Sequence, residues 1–181
     1  MFRFIAVVAL FAAPSSVGES ATSPDGRWRA EIRVERQATT ERGGSSAVWL
    51  IDTRTGKHRK LYVGPVFRGS FWGPRWSPDQ RIVYFSKLES ETSAGTHQIN
   101  VRTGEQKLVF DGGLMRVMRT GPYRGYLLAQ PHRYREAGGS YNPIVLVRQD
   151  GKEILTVPGS DEDDGARSLG RWLLAKGWAA S

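Results

Sequence analysis

From Arg27 to Glu35 the chain alternates charged and apolar side chains, with Trp28, Ala30, Ile32 and Val34 on every second position. A period of two marks an antiparallel strand with one face in a core and the other in water. These four residues are therefore expected to point inward. Gln37 to Ser46 is polar and reads as a loop, after which Ala47 to Ile51 is a continuous apolar run, consistent with a central strand covered on both faces. Asp52-Thr-Arg-Thr-Gly56 supplies turn residues, and Lys60 to Val63 returns as the hairpin partner.

The same order recurs from Gly73 to Phe110: a turn that runs from Gly73 through Trp76 to Ser77-Pro78-Asp79, an apolar strand to Phe85, a polar loop, a strand from Gln98 to Val101, a Thr103-Gly104 turn and a strand to Phe110. The first copy of the leading turn is Ser23-Pro24-Asp25-Gly26, in which proline presets φ, aspartate bonds back to the backbone and glycine accepts positive φ. Gln80 stands where the first copy has Gly26, so the second turn must either strain or adopt a type without positive φ there. A third copy is looser: Gly121-Pro-Tyr-Arg-Gly125, then strands at Tyr126–Ala129, Ile144–Val147 and Glu153–Val157, with Asp150-Gly151 between the last two. A period of roughly 50 residues with about four strands per copy is that of propeller blades. The reading is an all-β, propeller-like array of about three four-stranded antiparallel blades, at about 21–66, 67–112 and 113–160.

The turn Ser-Pro-Asp-Gly, the phrase Pro74-Arg-Trp76-Ser-Pro-Asp79, and the pair Val48-Trp-Leu-Ile-Asp52-Thr-Arg-Thr-Gly56 and Ile99-Asn-Val-Arg-Thr-Gly104 resemble the TolB-like, WD-type β-propeller repeat of bacterial periplasmic proteins. The resemblance covers two copies well and a third loosely. It implies that Asp25 and Asp79 build turns rather than catalyse. It also implies kinship with envelope interaction scaffolds and with the propeller halves of oligopeptidases. Three blades are fewer than the six or seven usual in that family, so strand edges would remain for a partner, a second copy in a homodimer, or the tail to cover.

At the C-terminus, residues 161–181 form an acidic linker, Asp161 to Asp164, and an amphipathic segment with Leu169, Trp172 and Leu173 on one face, Lys176 in the last turn and Gly177 as its cap. This predicts a short helix against the sheets. The acidic run suits the helix start, although its carboxylates are also calcium-ligand types. At the other end, Met1-Phe-Arg3, the apolar run Phe4–Ala13 and the small polar stretch to Ser20 make residues 1–20 a Sec-type signal peptide cleaved near residues 18–20. The apolar run is too short to span a bilayer. A periplasmic or secreted location follows as an expectation, which argues against nucleic acid as a partner. The absence of cysteine leaves the fold to its core.

A net charge of +8 favours an acidic protein or an anionic envelope component as partner. Catalytic patterns are missing: there is no Gly-x-Ser-x-Gly elbow, no cysteine nucleophile, no phosphate loop, and His58, His97 and His132 do not stand at metal-ligand spacing. No cofactor or metal is expected. Two places carry candidate binding residues. Pro131 to Tyr141 combines His132, Arg133, Tyr134, Arg135 and Tyr141 with flexible glycines between strands. Phe67, Phe71, Trp72 and Trp76 with Arg68 and Arg75 either pack where sheets meet or stack a sugar or peptide. The expectation is a non-enzymatic binding or scaffold protein for an acidic envelope partner, a secreted toxin or enzyme being one version. The alternative is a polysaccharide hydrolase or lyase using His132 with Tyr134 or Tyr141.

Overall fold

The Ser-Pro-Asp turns do not open the sheets; each joins a short first strand to the strand that follows. In the computed structural model, which describes residues 19–37, 39, 43–66, 71–90, 93–161 and 165–180, the first sheet contains β1 (Ser20–Thr22), β2 (Trp28–Arg36), β3 (Gly44–Asp52) and β4 (His58–Val66). The second contains β5 (Trp72–Trp76), β6 (Ile82–Leu88), β7 (Ala94–Asn100) and β8 (Gln106–Phe110). The third is built from β9 (Gly113–Val117), β10 (Leu127–Gln130), β13 (Val145–Val147) and β14 (Glu153–Thr156), with the hairpin β11 (Arg133–Tyr134) and β12 (Ser140–Tyr141) inserted between β10 and β13. Every pairing is antiparallel and each four-stranded sheet is a simple meander. The first strands lie side by side, β1 against β5 and β5 against β9, so the sheets radiate from them as propeller blades do. The fold is an all-β, propeller-like array closed by a short C-terminal helix, α1 (Gly165–Lys176). No helix among the described residues is long and apolar enough to cross a membrane.

Two sequence expectations need correction. The stretch from Gly73 to Trp76 is not part of a turn but strand β5, and β1 and β9 are its counterparts. Gln37 to Ser46 is not loop throughout, because Gly44, Ser45 and Ser46 pair with Val66, Pro65 and Gly64 and lengthen the β3–β4 hairpin.

The turns explain themselves locally. In the first, the Ser23 hydroxyl donates to Asp25 Oδ1 at 2.6 Å and accepts from the Trp28 amide at 2.9 Å, while Asp25 accepts the Arg27 amide at 3.0 Å. The second repeats this with Ser77, Asp79, Arg81 and Ile82. The hydrogen bonds from Ser23 and then from the Arg27 amide hold the Asp25 carboxyl below the usual carboxylate range. Gln80 takes the strained alternative, with φ of 62° where Gly26 has 74°. Its amide nitrogen, placed to satisfy both groups, lies 2.8 and 2.9 Å from the Asp25 oxygens and so links the turns of neighbouring blades.

Core packing follows the radial order. Ala30, Ile32, Val48 and Leu50 of the first sheet meet Phe71, Trp76, Val83 and Phe85 of the second, with Trp28 partly buried beside them. Tyr84 packs with Leu114, Leu127 and Val145 between the second and third sheets. The far face of the third sheet, Met118, Leu128, Ile144 and Leu146, is covered by Leu169 and Leu173 of α1. The helix ends at Gly177, with φ of 63°. Its amide donates to the Leu174 carbonyl and the Trp178 amide to the Leu173 carbonyl, both at 3.1 Å, which is the paired bonding of a Schellman motif. Beyond it, Arg119 donates to the Ala179 carbonyl at 2.8 Å and tethers the tail beside β9. Residues 1–18, on which most of the expected signal peptide falls, lie outside the described residues, as do Glu162 to Asp164 and Phe67 to Ser70.

Candidate functional site

The long connection after β10 is a folded hairpin rather than an open loop. Arg133 pairs with Tyr141 and Tyr134 with Ser140, and the turn closes through Gly138 N to Arg135 O and Arg135 N to Gly139 O, each 3.0 Å. Gly138 and Gly139 have φ of 91° and 84°, a conformation that side chains rarely adopt, which is why the tip is Gly-Gly. The neck is tied by Gln130 Nε2, which donates to the Asn142 carbonyl at 2.8 Å, and by His132 Nδ1, 2.9 Å from Asn142 Oδ1. An amide oxygen only accepts, so in this arrangement the neutral imidazole carries its proton on Nδ1 and presents Nε2 as an acceptor.

The hairpin's charges are partly spent internally. Arg133 forms an ion pair with Glu153 on β14. Arg135 lies over the Tyr141 ring at 4.6 Å and donates to the Asp161 carbonyl at 3.2 Å. Tyr134 is 74% exposed and meets the His132 ring edge-on at 5.0 Å. Among the described residues neither Tyr134 nor Tyr141 hydrogen-bonds the imidazole, whose Nδ1 is held by Asn142.

Trp72, at the start of β5, and His132, at the root of the hairpin, line one cleft of about 250 Å³ with Gln130, Asn142, Leu114 and Met115. The two candidate regions of the sequence thus meet, though far apart along the chain. Phe71 and Trp76 do not join them: both are buried in the core, the Trp76 indole donating to the Ala21 carbonyl at 2.9 Å. Arg75 donates to the Pro74 carbonyl at 2.9 Å and does not line this cleft. Gln130 and Asn142 escaped the sequence reading because amides at strand ends carry no pattern. An aromatic wall, an imidazole acceptor and two amides can hold a peptide or other polar group by stacking and hydrogen bonding.

His97 is a core residue. It is 5% exposed, stacks on Phe85 with ring centroids 5.4 Å apart, and is bonded through Nε2 to Glu89 and through Nδ1 to the Gln106 amide. Burial outweighs the Glu89 bond and lowers its pKa from the ordinary 6.5. The unfolded chain therefore takes up a proton first as the pH drops, so the stability His97 supplies is complete above about pH 6.5 and is lost on acidification. Urea unfolding is expected to show stability falling from about pH 7 to pH 5. His97→Gln should flatten that limb and leave the further loss below about pH 4, where the unfolded chain protonates Asp25, Asp52 and Asp150 before the folded chain, whose hydrogen bonds hold these pKa values low. A slope unchanged in the variant would contradict the assignment.

No protein-family model matches the chain, and no curated protein matches it in sequence. Solved structures do. Acylaminoacyl peptidase of Pyrococcus horikoshii aligns at 14% identity with a TM-score of 0.54, over 77% of this chain and 24% of the peptidase. A putative dipeptidyl aminopeptidase IV from Bacteroides ovatus aligns at 17% identity and TM-score 0.52, over 74% of this chain and 23% of its own. The β-propeller domain of the Trilobed protease from Pyrococcus furiosus aligns at 16% identity and TM-score 0.50, over 75% and 41%. The chain spans about a quarter of each of the two peptidases, and the portion that matches is their non-catalytic propeller. At these identities the likeness is one of fold, and the fold is that of a stretch of β-propeller.

Proposed function

We propose that the chain is an exported, non-enzymatic binding module of the TolB-like kind, which holds an acidic envelope partner with the basic His132 to Tyr141 hairpin and the cleft between Trp72 and His132 at its root. The observation that carries this reading is the convergence of Trp72 and His132, from different blades, on one cleft rimmed by amides. The net charge of +8 and the propeller-domain neighbours support a binding or scaffold role. A secreted toxin or enzyme with an acidic patch is one partner of this class. Cleavage between Gly18 and Glu19 suits the fold, since Glu19 accepts the Ile32 amide at 2.9 Å and its carboxylate accepts the Gly73 amide at 2.6 Å.

The test is a pull-down of the tagged mature protein from its own periplasmic extract at low and high salt, with Trp72→Ala and Arg135→Glu alongside. One stoichiometric protein is expected, released by salt and retained several-fold less by each variant. Equal capture by the wild type and both variants would remove the assignment of this surface.

A further inference from the structure

The opposite end of the blades holds a larger opening. Trp72 begins β5 and the Ser77 turn follows its end, so the turns face away from the Trp72–His132 cleft. Between the turns of the first and second blades lies a cleft of about 600 Å³, walled by Trp28 and Leu50 and lined by Arg59, Arg81, Arg102 and Asn100. That volume falls within the usual span of ligand sites, about 300–1,000 Å³.

Its charge is unbalanced for a local reason. The aspartates of these turns are already engaged as acceptors: Asp25 by Ser23, the Arg27 amide and, across the blades, Gln80, Asp79 by Ser77 and the Arg81 amide, Asp52 by the amides of Arg54 and Thr55. The guanidinium groups are left with less. Arg81 is 82% exposed at its side chain and has only Asp79 at 3.9 Å, and the Arg102 guanidinium has no partner among the described residues. Arg59 reaches across the cleft to the Val101 carbonyl, and Arg27 lies over the Trp28 ring at 5.1 Å.

The two copies of the hairpin turn differ at one informative place. Asp52 in the first blade is matched by Asn100 in the second, where the side-chain oxygen accepts the amides of Arg102 and Thr103 at 2.9 and 3.1 Å and does the same turn-building work. Asn100 lines the cleft and Asp52 does not. The carboxylate that would repel an anion is thus replaced by a neutral amide where the arginines gather. The strained φ of 62° at Gln80, on the same lining, is of the kind that persists at binding sites.

We propose that this inter-blade cleft is a second site, independent of the Trp72–His132 cleft, that binds an acidic peptide segment. Carboxylates engage Arg81 and Arg102 through paired guanidinium hydrogen bonds, and an adjacent apolar side chain packs on Trp28 and Leu50. The mixture of cations with an apolar wall favours a peptide with alternating acidic and aliphatic residues over a bare anion.

The test uses the full mature chain and a fluorescent hexapeptide of alternating Glu and Leu, titrated by anisotropy, with the Gln–Leu peptide as control and inorganic phosphate as competitor. Saturable binding of the Glu–Leu peptide is expected. Arg81→Glu with Arg102→Glu, both on exposed turns, should weaken it by at least about tenfold, while Trp72→Ala leaves it unchanged. Circular dichroism melts of the charge-reversed chain check that it folds. The proposal would be overturned by no saturable binding, by equal binding of the Gln–Leu peptide, or by displacement by phosphate at the concentration at which unlabelled peptide displaces. A Glu–Leu affinity retained by the folded double variant would do so as well.

Discussion

Replacing Leu169 and Leu173 together by alanine should lower the melting midpoint by on the order of ten degrees or more and expose dye-binding apolar surface. Both leucines are buried against Met118, Leu128, Ile144, Leu146 and Val157, where a further blade would pack in a longer array. Each buried Leu→Ala change costs about 2–5 kcal/mol. At about 2–4 °C per kcal/mol for a chain of this size, the pair accounts for the expected shift. The substituted helix keeps its intrinsic propensity, since alanine is the best helix former, so the loss is one of packing and not of helix formation. Leu174, 83% exposed on the same helix, is the control: Leu174→Ala should melt within a degree or so of the wild type. If the double variant melted like the control, α1 would not be the cover that holds the third sheet.

The face of the first sheet turned away from the second is finished by different means. Arg29 and Arg33 flank Glu31 at 3.4 and 2.7 Å, Lys60 meets Glu35 at 2.7 Å, and both Arg33 and Lys60 lie over the Trp49 ring at about 5 Å. The Trp49 indole donates to Glu35 at 3.0 Å. Exposed pairs of this kind add little stability one by one. Their effect is to give the array a polar, solvated outer face, as terminal repeats need. An apolar stripe and a helix cover one end, and a charge ladder covers the other.

These ladders were legible beforehand, because the alternation in β2 places its charges on one face and Ala30, Ile32 and the partly buried Trp28 on the other. The Asp52 and Asn100 turns and the helix were equally plain, since turn residues and the Leu169, Trp172, Leu173 spacing act within a few residues. The first strands were not. Ser20–Thr22 has three residues, and Trp72–Trp76 contains Gly73 and Pro74, which read as a turn. Their strand geometry comes from pairing with β2 and β6, a tertiary cause that no local pattern reports. The candidate site divides in the same way. Trp72 and His132 were visible as residue types, but their meeting depends on β5 beginning at the side of the array where β10 ends, and the arginine cleft depends on two turns from neighbouring blades.

Phe85→Ala should be among the most damaging alanine substitutions at the described residues, costing about 3–5 kcal/mol in urea unfolding. Phe85 is fully buried on the central strand β6 and joins three rings: Phe71 at 5.0 Å, His97 at 5.4 Å and Tyr62 at 6.4 Å. Removing it leaves a cavity between sheets that pack rigidly on both sides, so little can collapse to fill the space. Phe85→Leu keeps most of the volume and should cost less than half as much. The consequence that separates this cluster from a generic core defect concerns pH. The His97 pKa is lowered chiefly because burial penalises its charged form, and Phe85 covers one face of that imidazole. With the ring gone, water reaches His97, its pKa returns toward 6.5, and the dependence of stability on pH between about 7 and 5 should shrink in Phe85→Ala as it does in His97→Gln. The two changes remove the same difference in proton uptake between folded and unfolded chain, so the double variant should show no further flattening. If Phe85→Ala lost stability but kept the full slope, the imidazole would owe its low pKa to neighbours other than the ring stacked on it.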